Sequence, residues 1–230
     1  MRLALALGGL FLSASPVLAQ PPVAPRPGLC APVAMTRMVV REVTPGLAAA
    51  DPRAQPRTIH RFGATQLRSE TPPDLSRGGA SDLAIVSEPD VWTIDLTRRL
   101  GAHAVDPGPE FVVRAPILPI TPDMPPRFRT LEFGCEASFV GANAPQATQT
   151  RPWGLSQVAA FQITEGAYSL AMLMDTRWQE PVAILYSKAG QVVFAMRYDD
   201  YRSDMPASPE LFAPPQGVQI TTSMAATLKR

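Results

Sequence analysis

The amino-acid sequence predicts a mainly β protein: a strongly bent antiparallel sheet, or unclosed β-barrel, of about 8–11 strands with at most one or two short helices. Three observations carry that expectation. Apolar residues recur at period two in short runs, the pattern of a sheet with one buried side. The 26 Pro and 15 Gly of the 230 residues gather between those runs rather than inside them. Helical periodicity is scarce: the best candidate is Gly154 to Ile163, with Leu155, Val158 and Ala159 on one face, a short segment that could equally lead into a strand. The balance of charge narrows function as well. The chain has 21 basic and 20 acidic residues, and removing residues 1–19 takes away one base, Arg2, and no acid, leaving 20 of each. Nucleic-acid binding needs a basic stripe to displace phosphate counterions, so no nucleic-acid partner is expected. Electrostatic anchoring to a membrane surface is disfavoured for the same reason.

The chain opens with a leader. Arg2 precedes the apolar run Leu3 to Leu12, and Val17-Leu18-Ala19 supplies small cleavage residues before Gln20. That order describes a cleavable signal peptide over residues 1–19, too short to span a bilayer. It predicts a periplasmic or secreted mature protein with no transmembrane anchor. Cys30 stands away from the end of the apolar run, where an acylated cysteine would sit, so no lipid anchor is expected. A Pro-rich lead-in follows over residues 20–32, then a single β domain over residues 33–222 and a C-terminal tail over residues 223–230.

Within that domain the first half offers strand runs at Val33 to Val43, Thr58 to Glu70, Leu83 to Val86, Val91 to Leu96, Ala102 to Val105 and Phe111 to Ala115. Breaks such as Thr44-Pro45-Gly46, Thr71-Pro72-Pro73 and Glu88-Pro89-Asp90 are chemically suited to turns. The clearest alternation is Leu131 to Phe139, where Leu131, Phe133, Cys135, Ala137 and Phe139 share a face and predict a half-buried strand. Tyr168 to Met174, Val182 to Ser187 and Val192 to Tyr198 predict a meander, with Lys188-Ala189-Gly190-Gln191 short enough for a hairpin turn. Residues 116–126 and 141–152 are too Pro-rich or polar for regular structure, and loops of that length often cover a site.

Cys30 and Cys135 are the two cysteines of the chain. In an exported protein an even count reads as a disulfide, here tying the lead-in to a strand. Closing so long a loop contributes about 4–5 kcal/mol in the chain-entropy model. Two free thiols are the alternative. No metal site is expected, because His60 and His103 are the two histidines and no CxxC or HExxH spacing occurs.

A set of segments points to a family. Thr58-Ile59-His60-Arg61-Phe62 with Leu67-Arg68-Ser69-Glu70 follows the leader, and Asp90-Val91-Trp92-Thr93-Ile94-Asp95 comes next. Late in the chain stand Pro181-Val182-Ala183-Ile184-Leu185-Tyr186, Met196-Arg197-Tyr198-Asp199-Asp200-Tyr201 and Leu211 to Val218. In this order the features resemble the bacterial outer-membrane lipoprotein carrier and receptor superfamily, the LolA/LolB-like fold. The resemblance covers most of the mature chain as a pattern of strands. It implies an unclosed antiparallel barrel that holds acyl chains in a cavity covered by helices. Residues 21–32 are Pro-rich where that family carries an amino-terminal helix, so the implied lid is reduced or built from loops.

A cavity for acyl chains needs an apolar, adaptable lining. Leu170, Met172 and Met174 share a strand face with Tyr168, and Phe194 and Met196 share another; unbranched thioethers adapt readily to a flexible ligand. Trp92, Ile94 and Leu96 also share a face and are expected on the same concave surface. An ordinary packed core is the competing reading for both sets. Asp199, Asp200 and Asp204 read as a solvated strand end, since neighbouring carboxylates on a strand point to opposite faces and the alternating ligands of a calcium loop are missing. Arg98, Arg99, Arg127 and Arg129 suit either head groups at a cavity mouth or plain surface solubility. No nucleophile with its base, and no pair of carboxylates in contrasting settings, is legible, so neither an enzyme nor a cofactor is expected. Two functions remain. One is an exported binding protein for a lipid, acyl chain or other hydrophobic ligand; the other is a non-enzymatic envelope module with a filled core that takes a protein partner.

Overall fold

The structure is a computed structural model, and it describes residues 29–144, 146–150 and 157–222. The leader, residues 20–28 of the lead-in and the tail lie outside the described residues. Twelve strands form one sheet: β1 (Met35–Glu42), β2 (Arg57–Phe62), β3 (Gln66–Glu70), β4 (Asp82–Ser87), β5 (Asp90–Asp95), β6 (Leu100–Val105), β7 (Gln149–Thr150), β8 (Val158–Glu165), β9 (Tyr168–Asp175), β10 (Pro181–Lys188), β11 (Gln191–Met205) and β12 (Gln219–Thr222). Their order is β12-β6-β5-β4-β3-β2-β1-β11-β10-β9-β8-β7, with two free edges, so the sheet is not closed into a barrel. Two meanders meet at β1, which pairs antiparallel with both β2 and β11. The one parallel neighbour is β12, which joins β6 at the edge. The mainly β, antiparallel, unclosed architecture is the one the alternation predicts, and one α-helix, α1 (Glu136–Asn143), stands among the described residues. No helix among them is long and apolar enough to cross a membrane.

Four expectations about local structure need correction. Thr58 to Glu70 is a hairpin rather than one strand, β2 and β3 turning at Gly63, which takes φ +59. Leu131 to Phe139 is not a strand. Glu132 makes a single bridge to Pro116, and the chain then turns at Gly134 and enters α1. Gly134 sits at φ +85, and a Cβ there would lie 3.3 Å from Pro32 and 3.4 Å from Arg61, so the turn excludes a larger residue. Beyond it Glu136, Phe139 and Val140 are buried at helical spacing, a pattern that the overlapping period-two run conceals. The helix expected over Gly154 to Ile163 is strand β8 from Val158 onward, paired along its length with β9; residues 154–156 lie outside the described residues. Phe111 to Ala115 is extended but joins no ladder, and Val113 instead donates to the Ala64 carbonyl at 2.9 Å.

Cys30 and Cys135 form a disulfide with Cα atoms 5.7 Å apart. It ties the lead-in to the N-cap of α1, not to a strand. The Ala189-Gly190 hairpin forms as expected, both residues at positive φ.

Residues opposite one another in the ladders share a face, which separates two cores. On the inner face, defined by the larger core, Met38, Val40, Ile59, Met172, Ile184 and Tyr198 are buried beneath Ile117, Leu118, Met124, Phe128, Leu131 and Phe139. The covering side chains belong to residues 113–144, which cross the sheet between β6 and β7. The outer face buries Met35, Leu83, Ile85 and Ile94 beneath Phe212, Leu211 and Val218. The buried face changes along β1 and β11: Met35 opposite Met205 faces outward, and Met38 opposite Tyr201 faces inward. Three register shifts, each adding a residue to β11, accompany the change and impart the extra twist of bulged strands.

Candidate functional site

The inner face has an open part and a filled part, and β2 runs between them. Its inward residues alternate as Arg57, Ile59 and Arg61. Arg61 lies at the filled end and is fully buried. Its guanidinium pairs with Glu132 at 3.0 Å and donates to the carbonyls of Cys30 and Val113, each at 3.0 Å. Glu132 also meets Arg114 at 2.8 Å and accepts from the Ala115 amide. One buried cation thus ties the lead-in and two points of the crossing segment, Val113 and Glu132, to β2. Burial pushes the Arg61 guanidinium down from its ordinary value, and Glu132 opposes that shift. Nearby, Glu136 at the start of α1 accepts from the hydroxyls of Tyr198 and Tyr201 at 2.9 and 3.0 Å. Its complete burial raises the carboxyl above its ordinary range, against those hydrogen bonds.

Leu67 of β3 still packs against the larger core, and beyond it the inner face of β4 to β6 and β12 is open over a trough. One cross-strand row runs Ser69, Ala84, Thr93, Ala102 and Thr221. These small side chains floor a trough of about 540 Å³ that Arg57 borders. A second hollow of about 150 Å³ lies between Ile59, Leu67, Ala115 and Phe133, and a third of about 320 Å³ lies beside Val40, Ile117, Phe194 and Met196. Arg57 borders all three. Its guanidinium lies 5.5 Å from the centre of the Phe133 ring, and no carboxylate or carbonyl among the described residues pairs with it. Burial pushes it down from its ordinary value, with Glu42 acting in the opposite sense. A separate crevice of about 280 Å³ lies between α1 and the β8–β9 edge, against Val140, Phe161 and Met174.

The residues expected to line a cavity fall into three places. Leu170, Met172, Met174, Phe194 and Met196 lie on the inner face, but as parts of the packed core beneath residues 113–144. Only Met174, Phe194 and Met196 reach the edge of a hollow. Trp92, Ile94 and Leu96 do not join them, because β5 points these side chains to the outer face, where they belong to the second core. His60 and His103 also face outward; His103 stacks on Trp92 at 5.2 Å and hydrogen-bonds Asp90 at 2.7 Å. The acidic pair is not merely solvated: Asp199 accepts from Arg41 and Arg197, and Asp200 pairs with Arg37. Arg127 pairs with Glu165, and Arg129 holds the carbonyls of Thr121, Pro122 and Met124, so neither serves a cavity mouth. Among the described residues no group of three or more His, Cys, Asp or Glu is arranged to hold a metal.

Arg57, Ser69, Ala84, Thr93 and Ala102 are not among the site residues that the sequence predicts. A signal for Arg57 exists in Arg57-Thr58-Ile59-His60-Arg61, where a base shares the face of a buried Ile; beginning the strand at Thr58 hides it. Small residues on an open face leave no comparable mark.

No family model and no curated protein matches the chain. Among solved structures it is similar to an uncharacterized conserved protein from Thermus thermophilus, at 10% identity over 83% of this chain and 91% of that one, with a TM-score of 0.44.

Proposed function

We propose that the protein is an exported, non-enzymatic binding protein that holds a lipid, acyl chain or other hydrophobic ligand against the open half of its inner face. The observation that carries the reading is the trough of about 540 Å³ over Ser69, Ala84, Thr93 and Ala102. Its size falls within the range of about 300–1,000 Å³ common to ligand sites. A floor of small side chains, flanked by Leu67, Val86 and Val91 on the same face, gives a flexible chain a surface to lie on. The disulfide supports export, since such bonds persist in oxidising compartments. The leader over residues 1–19 supports it independently. Kinship with the LolA/LolB-like carriers belongs to the same proposal, supported by an unclosed antiparallel sheet with a cover seated on one face. In this chain the cover is a loop segment and one short helix.

Native mass spectrometry of protein purified from its own host, with analysis of extracted lipid, tests the reading. Co-purifying lipid supports it; an apo protein that also fails to take up a fluorescent fatty acid contradicts it. A second reading, an envelope interaction module, draws on the filled core beneath residues 113–144. It predicts a stable protein partner and no bound lipid.

A further inference from the structure

We propose that Arg57 is the head-group anchor of the trough, and that the ligand is a single-chain amphiphile ending in a carboxylate, a fatty acid by chemical class. The proposal rests on the trough being a ligand site and specifies what that site selects. Every other buried or half-buried arginine among the described residues has an oxygen partner. Arg37 has Asp200, Arg41 has Asp199, Arg61 has Glu132, Arg68 has Glu70, Arg127 has Glu165, and Arg129 has three carbonyls. Arg57 has only the face of Phe133. No nitrogen of Arg57 is sealed from water, so its fork is open to an incoming anion, which replaces the water on donors that no protein oxygen takes. Its planar fork of donors matches a carboxylate bidentately.

The surroundings choose among anions and fix where the chain goes. Arg57 stands where the three hollows meet, so a head group at its fork has the apolar recess of Ile59, Leu67, Ala115 and Phe133 beside it and the small-residue trough ahead. Phosphate is disfavoured. The other bases of the neighbouring hollow are engaged, Arg53 by Asp51 at 2.9 Å and Arg41 by Asp199, and Glu42 shares that hollow, so a dianion meets a carboxylate and no second free cation. Asp82 and Asp95 also border the trough, paired with Arg77 and Arg98 outside it, so no cation there is free to take a second acidic group.

The test is calorimetric titration of the mature, disulfide-bonded protein with dodecanoate and with its uncharged methyl ester, each below its aggregation concentration. The wild type is expected to bind the acid at least about tenfold more tightly than the ester. Arg57→Gln is expected to weaken the acid about ten- to a hundredfold, the range for a hydrogen bond to a charged group, and to leave the ester unchanged. Arg57→Lys falls between them, keeping the charge and losing the fork. Should Arg57→Gln not fold, the acid-to-ester ratio of the wild type and its decline with added salt decide the question. Equal binding of acid and ester by the wild type, or unchanged acid affinity in a folded Arg57→Gln protein, overturns the role of Arg57 while leaving a hydrophobic site in place. Binding of neither ligand overturns both the anchor and the site.

Discussion

In the half of the sheet built from β1 and β8 to β11, the inner face lies under residues 113–144 and bears Met and aromatic side chains that meet this cover directly. In the half built from β3 to β6 and β12, the outer face lies under residues 208–218, and the inner face beyond Leu67 is open over a row of Ser, Ala and Thr. One continuous ladder therefore supports two opposite arrangements, with β2 between them. Side-chain size tracks the difference. Large, deformable residues mark the part of the face that another segment fills, and a row of small ones floors the part left open.

Truncation in the filled half has the largest expected effect. Phe128 is fully buried and meets Tyr186 edge-on at 5.7 Å, so Phe128→Ala is expected to destabilise by about 3–5 kcal/mol in urea unfolding. A loss below about 1 kcal/mol would mean that the cover is not seated on the sheet as described. The outer core yields a smaller effect. Gly101 lies between Ile94 and Ile220, where an added Cβ would come within 2.8 and 2.9 Å of their side chains. Gly101→Ala is expected to lose about 1–3 kcal/mol as an overpacked site, measured the same way.

The covered half also carries a pH signature. Glu136 has its folded-state carboxyl raised above the ordinary value of 4.5 by burial. A raised carboxyl favours the folded state most when protonated. Its contribution is complete below the unfolded value and is lost as pH rises through the folded one. Unfolding free energy followed from pH 4 toward neutrality is therefore expected to lose part of its value in the wild type. Glu136→Gln, which preserves an acceptor for Tyr198 and Tyr201, is expected to remove that part of the loss. An identical pH profile in the variant would show that Glu136 does not titrate differently on folding. The smallest effect belongs to the open half: Thr93 is exposed on the trough floor, and Thr93→Ala is expected to change stability by less than about 0.5 kcal/mol. A large loss there would break the distinction between the halves.

The strands are legible where alternation and turn chemistry agree, as in β1, β4, β5 and the meander of β9 to β11. Leu131 to Phe139 misleads because five apolar residues at period two also contain the spacing of a short helix, and the deciding feature, the backbone of Gly134, is a matter of tertiary packing. Trp92 and Met172 look equivalent because alternation identifies a buried face without saying which one. Their assignment to opposite faces depends on the registers that link Met172 to Glu42 and Trp92 to Arg37 of β1, pairings between strands far apart in sequence. The disulfide follows from cysteine count and compartment, but its attachment to a helix start does not. Arg57 stays hidden because an unpaired cation is recognisable only when every neighbour has a known partner.

The central claim is that ligand binding belongs to the small-residue half of the inner face. Photo-crosslinking with a diazirine-bearing fatty acid, followed by peptide mapping, tests it most directly. Adducts are expected on β3 to β6, at residues such as Ala84, Thr93 and Ala102, competed away by unlabelled fatty acid. Adducts concentrated instead on Leu170, Met172 and Met174 would mean that the filled core opens to admit the ligand, and would contradict it.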